Sequence, residues 1–131
     1  VVFIDSNVPM YLVGAAHPNK VDAQRRLETL ATQRVRLVTD AEVLTEILHR
    51  YTAIERRGSI QPALDALLGI VDEVRPVDRN TVERAKQLVL QYPTLPVRAA
   101  MHVATMQLEG IENVLSFDPA FDRIPGLTRL R

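Results

Sequence analysis

The sequence predicts a three-layer α/β/α fold, a parallel sheet of four to five strands covered by helices on both faces. Three observations carry that prediction. Short apolar, β-branched runs recur along the chain; segments with helical periodicity separate them; and the runs end on acidic or turn-forming residues. Strands that alternate with helices join by right-handed crossovers, which makes the sheet parallel and buries both of its faces.

The first run, Val1 to Ile4, is continuously apolar and stops at Asp5, as a central strand of such a sheet does. From about Asn19 to Gln33, Val21, Ala23, Leu27, Leu30 and Ala31 recur at helical spacing, and Val35 to Val38 supplies a second strand. Asp40 then stands as an N-cap. Val43, Leu44, Ile47, Leu48, Tyr51 and Ile54 form one helical face that runs to Gly58, read as the residue just past the helix end. Ser59 caps a further helix bearing Ala63, Leu64, Leu67, Leu68 and Val71, with Pro62 fixing where it starts. Val74 to Val77 reads as a short strand. Asp78 or Asn80 caps a helix with Val82, Ala85, Leu88 and Val89, which Tyr92 to Pro96 breaks. A helix from about Val97 to Leu108 ends before Gly110, Val114 to Phe117 forms a strand stopped by Asp118, and Leu127 to Arg131 adds an edge strand after the Pro125-Gly126 turn.

Composition narrows the possibilities. The 131 residues are enough for one domain, 1–131, with no room for a second, and 47% hydrophobic with 24% charged residues is the globular norm. With no Cys there are no disulfides, thiolate metal sites or cysteine nucleophile; together with the lack of a leading signal peptide this gives a cytoplasmic location as the expectation. No apolar run approaches the roughly 20 residues that span a bilayer. Sixteen cations balance sixteen anions, which weakly opposes a nucleic-acid partner. All the cations but Lys20 and Lys86 are Arg, however, which suits bidentate phosphate contacts if several converge.

In an open parallel sheet, ligands gather beyond the carboxyl ends of the strands. Asp5 and Asp118 stand at two such ends, and Glu46 lies about two turns into the helix after the second strand. Asp40 and Asp78 read as helix caps. Three carboxylates gathered at one edge repel unless a cation holds them, and hard oxygen donors without Cys favour Mg²⁺ or Mn²⁺.

At these residues the sequence resembles a known family. Phe3-Ile4-Asp5-Ser6-Asn7 is similar to the opening signature of PIN domains, and Asp40 to Ile47 to their second block, which carries an acidic residue at Glu46. Arg98, His102 and Ala104 match a third block of the form Arg-Asp-Ala-x-His-x-Ala, and Leu115-Ser116-Phe117-Asp118 with Phe121-Asp122 matches the fourth. Ile124-Pro125-Gly126-Leu127 is typical of the bacterial toxin branch called VapC. Four ordered blocks at fitting distances span nearly the whole chain.

The resemblance implies a magnesium-dependent (or manganese-dependent) endoribonuclease, the toxin of a type II toxin–antitoxin module. One or two metal ions would polarise the phosphodiester and activate a water. Asp5 and Asp118 would be the principal ligands, Glu46 a ligand or the group orienting the water, and Asn7 a supporting residue that holds Asp5 or a bound water. His102 is read as a packing or hydrogen-bonding residue, and Arg98 as either a phosphate contact or a counter-charge to the acidic cluster. The resemblance also implies an RNA substrate, a homodimer formed through apolar positions of the 64–71 and 82–89 helices, and a VapB-type antitoxin whose C-terminal segment covers the cleft with an Arg.

One departure stands out: Ala99 occupies the place of the third block's aspartate. Because the rest of the block is intact, the expectation is a deliberate Asp-to-Ala change that silences a toxic enzyme, with a naturally degenerate site as the alternative. Either way the chain should be inactive. Two rival functions remain at this point. The first is a catalytically silent binding module on the same fold. The second is a haloacid dehalogenase-like phosphatase, which would want an Asp where Asn7 stands and a motif around Lys86. His17 and His49 are isolated, Arg56-Arg57 reads as a solvated helix end, and Asp122 as a surface or turn residue.

Overall fold

A computed structural model describes residues 1–131. Five strands, β1 (Val2–Ile4), β2 (Leu37–Asp40), β3 (Glu73–Arg75), β4 (Asn113–Leu115) and β5 (Thr128–Leu130), form one sheet in the order β3-β2-β1-β4-β5. Every neighbouring pair is parallel. Six helices surround it: α1 (Asn7–Val13), α2 (Pro18–Thr32), α3 (Ala41–Ala53), α4 (Ile60–Leu68), α5 (Arg79–Gln91) and α6 (Val97–Glu109). This is the α/β architecture that the alternating pattern predicts. None of these helices is long and apolar enough to cross a membrane.

The sheet order explains where a site can form. From β1 the chain steps outward through β2 to β3, then returns through α5 and α6 to β4 on the other side of β1. The crossover direction therefore reverses at β1, and connections leaving β1 and β4 part to opposite faces, opening a crevice at their carboxyl ends. Helix α1 packs against both α2 and α4, α4 packs on α3, α3 meets α6, and α5 packs on α6.

The core is the centre of the sheet together with α6. Phe3, Ile4, Val114 and Leu115 are fully buried, and α6 is buried without interruption from Ala99 to Met106. Alanines at 99, 100 and 104 let that helix approach its neighbours closely. Such burial is costly for a polar side chain without partners, which bears directly on His102 and Thr105.

Several boundaries differ from the sequence reading. The second strand lies two residues later than expected, so Asp40 is both its last residue and the N-cap of α3, accepting from the Val43 amide at 2.9 Å. Helix α3 ends at Ala53, well before Gly58. Glu55 turns the chain in the left-handed region (φ 57°), and Gly58 sits in a short 3₁₀ turn, Arg57–Ser59. Strand β4 stops at Leu115, which leaves Ser116, Phe117 and Asp118 beyond the sheet edge. Asp78 is the residue that caps α5, through the Thr81 amide and hydroxyl.

Helix α1 was not expected at all. It has seven residues with Pro9 in its first turn, and Ser6 at its N-cap makes no capping bond because its hydroxyl is engaged elsewhere.

Gly110 closes α6 with φ 69°, and a Cβ there would meet nothing within 4 Å. A substitution at this position therefore probes backbone conformation alone. Gly110→Ala should lower stability by roughly 1–2 kcal/mol in urea unfolding; an unchanged midpoint would contradict a left-handed helix end.

Candidate active site

The crevice at the β1/β4 switch is a cleft of about 1010 Å³. Asp5, one residue past β1, is only 4% exposed and is held from several directions. Its Oδ1 accepts from the Ser6 amide at 2.7 Å, and its Oδ2 accepts from the Ser116 hydroxyl at 2.6 Å. The Asn7 side-chain amide lies 3.4 Å from Oδ2 and 3.2 Å from the Ser116 Oγ, while the Asn7 Oδ1 accepts from the Phe117 amide. Asn7 thereby ties the segment after β1 to the segment after β4.

Glu46 reaches the same place from α3. Its Oε2 accepts from the Ser6 hydroxyl at 2.7 Å and its Oε1 lies 2.6 Å from His102 Nε2. The hydroxyl that would ordinarily cap α1 is thus spent on this carboxylate.

His102, 1% exposed, is the hub. Its Nδ1 lies 3.0 Å from Asp40 Oδ2, and its Nε2 lies 3.7 Å from Asp5 Oδ1 in addition to Glu46. Asp40 is itself wholly buried and accepts from the Thr105 hydroxyl at 2.9 Å. Ligand atoms of Asp5, Glu46 and His102 all lie within 4.8 Å of one another.

Electrostatics follow from this crowding. Burial pushes the Asp5 carboxyl above its ordinary pKa, and Glu46 adds to the rise, against the pull of His102 and of hydrogen bonds from Ser116 and Ser6. Burial alone would drive His102 down, yet hydrogen bonding to Asp40 and Glu46 and the charge of Asp5 raise it well above its ordinary value. An imidazolium among acidic groups is the result. Glu42, in the first turn of α3 and on the cleft wall, is also raised, mainly by burial.

Asp118 lines the cleft, but its carboxylate is engaged: Oδ1 accepts from the Ala120 amide at 2.9 Å and Oδ2 lies 3.3 Å from Arg98. Its own amide donates to the Ser116 Oγ at 3.0 Å, which links it indirectly to Asp5. The structure thus brings Asp5 and Glu46 together directly and Asp118 through Ser116. Ala99, 1% exposed, lines the cleft one turn before His102 on α6. Asp122 sits apart, in a bidentate pair with Arg129.

Sequence reasoning gave no role to Ser6, Ser116 or Thr105, and saw Asp40 only as a cap. Ser6 and Ser116 stand beside the two strand-end aspartates, a position that could have marked them. Nothing local distinguishes Thr105, whose partner is 65 residues away.

Three comparisons with known proteins bear on this cleft. The PIN domain family profile matches residues 2–127. Ribonuclease VapC13 of Mycobacterium tuberculosis is 56% identical over 129 residues, covering 98% of each chain. Ribonuclease VapC23 of the same species is 35% identical over 117 residues, covering 89% of this chain and 92% of the relative. Among solved structures, VapBC2 from Rickettsia felis, bound to a DNA fragment from its promoter, superposes with a TM-score of 0.74 at 15% identity, covering 98% of this chain and 96% of the other. The Mycobacterium tuberculosis sarcin-ricin loop cleaving toxin VapC20 gives 0.70 at 22% identity over 91% of each. The last two likenesses speak for the fold.

Proposed function

The chain belongs to the PIN-domain family and is of the VapC type, and on that premise we propose that residues 1–131 are one PIN domain, a metal-dependent endoribonuclease acting as a toxin, silenced by the alanine at position 99. The observation that carries this reading is the meeting of the Asp5 and Glu46 carboxylates in one cleft, with Asp118 on its wall and Ala99 where a further carboxylate would project. Ribonuclease relatives covering nearly the whole chain support the activity.

The donor set fits a hard divalent cation of the magnesium or manganese class. Asp5 is a buried carboxylate made costly to ionise by burial and by Glu46, a situation that added positive charge relieves. Asp5, Glu46 and Asp118 would hold the ion, which when bound supplies charge to the phosphodiester oxygens and makes water a better nucleophile. The remaining work belongs to the chain. Ser6, Asn7 and Ser116 fix the Asp5 carboxylate, and Ser6 and His102 fix Glu46. Arg98 holds Asp118 and neutralises part of the acidic charge that would repel a phosphate.

A VapB-type antitoxin is the expected partner, supported by the toxin–antitoxin complexes among the structural relatives. A homodimer and a cytoplasmic location complete the reading. Ala99 itself favours a second reading, a silent binding module. The family match removes support from the haloacid dehalogenase alternative.

One experiment separates the two that remain. The chain as it stands should give no detectable cleavage of RNA with Mg²⁺, and Ala99→Asp should raise cleavage by at least about a hundredfold, since even groups that only support metal ligands are worth 10–100-fold. EDTA should abolish the gain. An Ala99→Asp chain that stays inert favours the binding module, and robust cleavage without the substitution would remove the importance assigned to position 99.

A further inference from the structure

Beside the acidic group the same cleft holds three aromatic rings from three segments that are separate in sequence: Tyr11 on α1, His17 ahead of α2 and Phe117 after β4. Tyr11 lies between the other two, its ring centroid 4.9 Å from that of His17 and 5.2 Å, edge to face, from that of Phe117. The rings are not a sealed part of the core, since Tyr11 and Phe117 are only partly buried and His17 is exposed. The His17 ring is fixed in orientation, its Nδ1 accepting from the Asn19 amide at 3.0 Å. Gly14, Ala15 and Ala16, between Tyr11 and His17 in sequence, also line the cleft, and the Lys20 ammonium donates to the Gly14 carbonyl at 3.0 Å.

Position gives the cluster its meaning. The Phe117 amide donates to Asn7, which contacts Asp5, and Asp118 follows Phe117 directly. A polymer whose phosphate met Asp5 and Glu46 would bring its neighbouring unit against these rings. Arg50, Arg56 and Arg98 line the same cleft and supply charge complementary to a phosphate backbone. Exposed aromatic faces beside cations are the ordinary means of holding unpaired bases.

We infer that Tyr11, Phe117 and His17 form a stacking platform for one unpaired nucleobase next to the scissile phosphate. This rests on the ribonuclease reading, but it concerns binding and can be tested without cleavage.

The test uses the chain as it stands and a fluorescently labelled single-stranded oligoribonucleotide of mixed sequence, with abasic sites placed one position at a time. Anisotropy should show binding that Tyr11→Leu weakens about tenfold to a hundredfold and Tyr11→Phe preserves. One abasic position should weaken the parent chain to a similar degree and leave Tyr11→Leu unaffected, the coupling expected of two groups in contact. Circular dichroism confirms that each variant is folded. Equal binding by Tyr11→Leu, a loss unrelated to any base, or no binding of RNA by the parent overturns the platform. Cleavage by the Ala99→Asp chain is judged apart from this: cleavage without coupling sinks the platform alone, and coupling without cleavage sinks the nuclease reading alone.

Discussion

In the chain carrying Ala99→Asp, the further change Asp5→Asn should reduce RNA cleavage by at least about a hundredfold while leaving the metal-free protein as stable as its parent, or more so. The two effects have one cause. Asp5 is a nearly buried carboxylate whose pKa burial and Glu46 raise, so its ionised form works against folding near neutral pH. Asn has almost the same shape and keeps an acceptor for the Ser6 amide or the Ser116 hydroxyl. It removes the charge that a divalent cation needs. The parent should therefore melt at a higher temperature when Mg²⁺ or Mn²⁺ is added, by the equivalent of about 2.7 kcal/mol at a hundredfold excess over the dissociation constant. Asp5→Asn should show little of that rise. Thermal melts with EDTA and with each cation, run beside the cleavage assay, check both halves. A variant that still cleaves, or one that unfolds without metal, would mean that Asp5 is a structural residue.

That conflict between folding and charge also shows how far the sequence could be read. The sheet was legible because buried parallel strands appear as short β-branched runs, and β1 and β4 lie within a residue or two of where those runs were placed. That Asp5, Glu46 and Asp118 would line one cleft was legible because strand ends and the opening two turns of the following helix face the crevice in this topology. Helix α1 escaped because its signals were used for something else: Ser6 binds Glu46 instead of capping, and Pro9 interrupts the first turn. The true end of α3 escaped because Glu55, not a glycine, takes the left-handed turn. Hardest to see was the column of polar groups behind the site, Thr105 to Asp40 to His102 to Glu46. Its links join residues 65, 62 and 56 positions apart, and only α6, buried from Ala99 to Met106, brings them together.

That column yields the second large expected effect, a loss of roughly 3–5 kcal/mol of stability from Asp40→Ala, the usual result of removing one partner from a buried charged pair. Asp40 is fully buried and its two oxygens serve three donors: the Val43 amide at the start of α3, the Thr105 hydroxyl and His102 Nδ1. Alanine would leave all three without a partner, and the imidazolium most of all. The pH dependence separates this from simple loss of packing. Hydrogen bonds to Asp40 and Glu46 raise the His102 pKa in the folded state, despite burial. The stability His102 contributes is then fully present below the ordinary histidine pKa and disappears as pH rises through the higher folded value. Asp5, also raised, works in the same direction at the acidic end, so the metal-free protein should be most stable in mild acid and weaken toward alkaline pH. With Asp40→Asn, which keeps one acceptor but not the charge, the alkaline decline should begin at lower pH because a main cause of the raised pKa is gone. Urea unfolding in EDTA across pH 5 to 10 measures it. If the two chains lose stability over the same pH range, Asp40 is not what keeps His102 charged, and the imidazolium that holds Glu46 in place must be accounted for by Glu46 and Asp5 alone.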